Sequence, residues 1–89
     1  MRIDLFLNKV CLTKTRSVAK NACDKNLVKI NAKLAKASTE LREGDEIGLR
    51  LYGFDHQIKV LALPTGNVAK KDATNYYQLL SRQEIPSQE

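Results

Sequence analysis

The chain has 89 residues, 43% of them hydrophobic and none of them Trp, and its mean hydropathy is -0.38. That length predicts one domain over residues 1–89 with a small core, because halves of it would bury too little apolar surface to stand alone. Net charge is +5, and no run approaches the roughly 20 apolar residues of a membrane span, so a cytoplasmic protein without a membrane segment is expected.

Ile3, Phe6, Leu7 and Val10 recur at i, i+3, i+4 and i+7, which predicts a short first helix with one buried face. Asp4 falls in its first turn, where a negative charge suits the helix dipole. A second helix is predicted from Thr15, whose hydroxyl can cap free backbone N–H groups, and it should bury Val18, Ala19, Ala22 and Cys23. Arg16 and Lys20, four residues apart, then point outward side by side, and Arg16 is also within reach of Asp4 as an ion-pair partner.

Asn26 is the candidate for a left-handed residue ending this helix, since Asn tolerates that conformation better than most. Val28 and Ile30 then alternate with Lys29 and Asn31, predicting a half-buried strand, and Asn31-Ala32 can turn the chain toward Lys33–Ala35. A second strand is expected at Ile47, Leu49 and Leu51, a turn at Gly53–His56, and a hairpin partner at Ile58, Val60 and Ala62. Asp72 is positioned to cap a last helix with Ala73, Tyr76, Tyr77 and Leu80 on one face, followed by a frayed tail over residues 83–89. The fold class expected is α+β: two N-terminal helices on a small antiparallel sheet, with a further hairpin and a C-terminal helix over about residues 52–82.

Charge is unevenly distributed. Met1 to Ser38 holds nine cations against two acids, a net of +7, whereas Thr39 onward holds six cations against eight acids, a net of -2. A solvated surface usually mixes the signs, so the basic half points to a polyanionic partner. Phe6 is the only aromatic residue in that half and is claimed by the core, which favours recognition of structured RNA through shape and phosphates over a stacking platform.

Cys11 and Cys23 are too few for a disulfide framework and lack CxxC spacing, so two buried, reduced thiols are expected. With His56 as the single histidine, neither a metal site nor a cofactor is predicted. No nucleophile is placed beside His56 and no phosphate-cradling glycine loop occurs, which predicts a non-catalytic protein without a small-molecule substrate. Two helices followed by a hairpin can also be read as a winged helix-turn-helix, but the second helix has few long polar side chains for base edges beyond Arg16, Lys20 and Asn21.

RIDLFL at Arg2–Leu7, TKTRSVAKNAC at Thr13–Cys23, LVKIN at Leu27–Asn31, KAS at Lys36–Ser38 and EGDEI at Glu43–Ile47 together resemble the S-four RNA-binding domain, the alpha-L motif, over about residues 2–51. In length, and in KKDATNYYQLL at Lys70–Leu80, the chain is most similar to the free-standing RqcP-type ribosome quality-control factors. The ribosome-associated heat-shock S-four proteins, which carry an extra basic C-terminal extension, are the alternative, and no such extension is expected here. The resemblance implies a monomeric adaptor for large-subunit ribosomal RNA and tRNA, acting on stalled nascent chain-tRNA. It nominates Lys14, Thr15, Arg16, Ser17, Lys20, Lys29 and Asn31 as RNA-contacting, with Arg2 and Lys9 flanking. Relatives usually carry glycine near Asn26 and at Ala32, and often a basic residue at Leu5.

Overall fold

A computed structural model describes residues 1–85. Helix α1 spans Ile3–Lys9 and helix α2 spans Arg16–Asp24. Five strands follow: β1 (Val28–Ile30), β2 (Lys33–Leu34), β3 (Glu46–Leu51), β4 (Phe54–Val60) and β5 (Tyr77–Glu84). They form one antiparallel sheet in the order β2-β1-β3-β4-β5.

The helical period of the first segment becomes real burial: Ile3, Phe6 and Leu7 are fully inaccessible and Val10 nearly so. Ala19, Ala22 and Cys23 of α2 close against them, and their small side chains let the two helices approach, while Val18 stays half-exposed. Val28, Ile47, Leu49, Ile58 and Val60 supply the sheet side of the same core. At ~25 cal/mol per Å² of apolar area removed from water, burial of each large aliphatic side chain contributes about 1.5–3 kcal/mol. Both helices therefore lie on one face of the sheet, and the alternate residues Lys29, Gly48 and Gln57 pair across its other face.

Turn chemistry fixes the register. Asn26 takes φ 61 after α2, and Asn31-Ala32 make a two-residue turn with φ 50 and 70, the left-handed pair that joins twisted antiparallel strands. The next hairpin turn is Tyr52-Gly53, with φ 56 and 80. It is tighter than the turn expected at Gly53–His56, and β4 accordingly starts at Phe54 and stops at Val60.

The expected C-terminal helix is corrected. Lys70–Asn75 makes only a 3₁₀ turn, which buries Ala73, and Tyr77–Glu84 runs as β5 along the whole of β4. Pairing is non-local, so it overrides a local helical spacing. A bulge disguises the strand: Gln57 faces Ser81 and Ile58 faces Leu79, which leaves Leu80 as the inserted residue and breaks the period of two. Gln83 and Glu84, assigned to the frayed tail, belong to β5; residues 86–89 of that tail lie outside the described residues. Cys11 is also corrected, being exposed at φ 61 where the chain leaves α1, whereas Cys23 is buried. Among the described residues no helix is long and apolar enough to cross a membrane.

Candidate nucleic-acid interface

The site is built around a carboxylate that the fold removes from water. Asp4, in the first turn of α1, is 0% exposed. Its Oδ1 accepts the Leu5 N–H at 2.7 Å, and its Oδ2 accepts from Arg2 Nη2 at 3.2 Å and from Arg16 Nε at 3.3 Å. A buried carboxylate without such partners would cost several kcal/mol, so the arginines satisfy it as much as it holds them.

What remains is positive and faces out. Two guanidinium groups share one carboxylate, and the Arg2 and Arg16 side chains stay 41% and 46% exposed. Arg16 spends only Nε on Asp4, which leaves its two terminal nitrogens without a partner among the described residues. Those nitrogens form the planar fork that matches a phosphate in bidentate fashion.

Thr15 sets the start of α2: its Oγ1 accepts the Val18 N–H at 3.1 Å, and its backbone is extended as an N-cap requires. The first turn of α2 carries no acid, so the helix N-terminus adds its own positive potential beside Arg16 and the exposed Ser17. Lys20 is exposed one turn further along, and Lys14 is exposed just before the cap.

The other nominated residues are placed differently. Lys9 is half-buried and donates from Nζ to the Gly66 carbonyl at 3.1 Å. Asn31 is a clamp: its Nδ2 donates to Asp45 Oδ1 at 3.2 Å, and its Oδ1 accepts the Glu46 N–H at 3.0 Å. Lys29 projects from the sheet face opposite the helices, beside Gly48, Arg50 and Gln57. The structure thus brings Arg2, Lys14, Thr15, Arg16, Ser17 and Lys20 together around the start of α2, and sets Lys9, Lys29 and Asn31 apart from them.

One residue of this surface escaped the sequence reading. Tyr52, from the β3–β4 turn, accepts the Lys14 N–H on its hydroxyl at 3.3 Å, and the Lys14 ammonium lies 5.8 Å from its ring centroid. It is half-exposed, so the basic surface does carry an accessible aromatic. Its place in a turn next to glycine was the available signal, but a separation of 38 positions in sequence hid the contact.

Burial pushes the Cys23 thiol up to about 11, with smaller contributions from Asp4 and Asp24. His56 is lowered below its usual value, first by burial, then by Arg82, with Asp55 opposing. Its Nδ1 is buried without a hydrogen-bond partner.

The S4 domain family model matches residues 1–47, the part of the chain that builds α1, α2 and the strands through Ile47. A Streptococcus pneumoniae protein named RQC P-site tRNA stabilizing factor is 34% identical, with 96% of each chain covered. A Helicobacter pylori protein of the same name is 39% identical over 85% of this chain and 92% of its own. Among solved structures, the trimeric heat shock protein 15 of Vibrio cholerae superposes with a TM-score of 0.85 at 26% identity, covering 91% of this chain and 82% of that one. The chain belongs to the S4 domain family and, within it, to the group of relatives that carry the name RQC P-site tRNA stabilizing factor.

Proposed function

We propose that this protein is a non-catalytic cytoplasmic RNA-binding factor that docks on ribosomal RNA and tRNA at the large ribosomal subunit and stabilises P-site tRNA during ribosome-associated quality control. The observation that carries the proposal is the pair of half-exposed guanidinium groups of Arg2 and Arg16 converging on buried Asp4 at the N-terminus of α2. Such a surface neutralises phosphates and releases counterions, and its fixed arginine fork suits a phosphate held in a defined place.

In this reading Arg2 and Arg16 form the centre of the interface, with Lys14, Ser17 and Lys20 around them and Thr15 setting the helix start. Lys9 and Asn31 shape neighbouring turns, and Lys29 serves a second contact on the far sheet face. The chain acts as one monomeric unit, and β4 and β5 extend the S4 portion. The heat-shock-type role at the large subunit is the second reading, favoured by the structural likeness to heat shock protein 15.

A salt titration of binding to isolated large subunits tests the surface. Arg16→Ala or Lys20→Ala should weaken binding and lower the slope of log K against log salt by about one each, because each lost phosphate contact retains its counterion. Unchanged affinity and slope in both folded variants would remove this surface from the interface.

A further inference from the structure

Tyr52 sits in a conformation that its chemistry disfavours. With φ 56 it occupies the first central position of a two-residue turn where Asn or Gly is the unstrained choice, and a bulky residue there is an outlier. Its hydroxyl and ring meet Lys14. Tyr52 also lines a hollow of about 430 Å³, together with Leu27, Arg50, Leu51, Gly53 and Ile85.

Apolar side chains, an aromatic residue and a guanidinium lining one hollow suit the flat faces of a nucleobase, which stacks on rings and on arginine planes. Arg50 is half-exposed and only loosely paired, its Nε standing 4.0 Å from Asp55 Oδ2. The Lys14 ammonium is near the outer limit of a ring contact, so it is available to a phosphate beside the same nucleotide.

We propose that the hollow beside Tyr52 receives one unpaired nucleobase of the bound RNA, stacked on the Tyr52 ring with Arg50 at the rim, while Lys14 takes an adjacent phosphate. The proposal rests on the RNA-binding reading above and adds a base contact to it. The favoured ligand is then a paired stem that carries an unpaired base, as in a loop or bulge. Stacking needs no counterion release, so this contact adds affinity without adding salt dependence.

The test compares an RNA hairpin with a single-stranded loop, a fully paired RNA duplex of the same length, and the hairpin with 2-aminopurine in its loop. Tyr52→Asn relieves the turn and removes the ring; Tyr52→Phe keeps the ring and removes the hydroxyl. Wild type should prefer the hairpin and quench the 2-aminopurine. Tyr52→Asn should lose about tenfold in hairpin affinity with an unchanged salt slope, should lose its preference for the hairpin over the duplex, and should not quench. Tyr52→Phe should keep both the preference and the quenching. Hairpin binding and quenching by Tyr52→Asn equal to wild type would overturn the proposal while leaving the RNA reading intact. Failure of wild type to bind either RNA would overturn both.

Discussion

Arg16 Nε donates to Asp4 Oδ2 across 3.3 Å, and this contact ties the first turn of α2 to the first turn of α1. The same bond that satisfies a buried carboxylate leaves the rest of the guanidinium toward solvent. Asp4 therefore acts as a positioning residue. Asp4→Asn should leave the arginines present but unheld, costing about 1–2 kcal/mol of stability, less than a fully buried pair would lose because both arginines can turn to water. A cycle of Asp4→Asn, Arg16→Ala and the double variant in urea denaturation should give a coupling of at least ~0.5 kcal/mol. Strict additivity would mean that the contact does not bind the helices together.

Ala32 carries φ 70 in the β1–β2 turn, a conformation that costs an L-residue about 1–2 kcal/mol and costs glycine little. Ala32→Gly should therefore stabilise the chain by ~1 kcal/mol, offset in part by the greater freedom of glycine when unfolded. Thermal unfolding should show Tm rising by about 4–8 °C per kcal/mol gained. A fall in Tm would show that the turn stores no such strain.

His56 gives the fold a pH dependence of definite sign. Its folded pKa is held below the ordinary 6.5, through burial first and Arg82 second, so on acidification the unfolded chain takes up the proton before the folded one does. The stability that depends on neutral His56 is complete above pH 6.5 and is lost as pH falls through the folded value. Denaturation midpoints measured from pH 7.5 to 5 should fall for wild type (~pH 5–7 being the His window) and fall less for His56→Gln. Equal slopes for the two would assign the acid sensitivity to other groups.

Much of this architecture is legible in the sequence because it is local. The buried stripe of Ile3, Phe6, Leu7 and Val10, the Thr15 cap, the Asn26 stop and the Asn31-Ala32 turn all depend on residues within a turn or two of one another. The pairing of Arg16 with Asp4 was foreseeable from opposite charges on neighbouring helices. What escaped depends on distant partners. β5 is a strand because β4 lies beside it, and the bulge at Leu80 erases the alternation that would have announced it. Asn31 reads as an outward polar residue until Asp45 and Glu46 arrive to occupy both ends of its amide. Tyr52 joins the basic surface only when the β3–β4 turn reaches Lys14.

The proposed function has the Asp4-anchored arginines dock this protein on the large ribosomal subunit in a manner that depends on tRNA. Co-sedimentation of the purified protein with large subunits, with and without tRNA in the P site, tests it most directly. Wild type should pellet with the tRNA-bearing subunits more strongly than with empty ones, and Arg16→Ala should lose most of that binding. Equal binding to both subunit forms, or retention of wild-type binding by Arg16→Ala, would contradict the proposed docking.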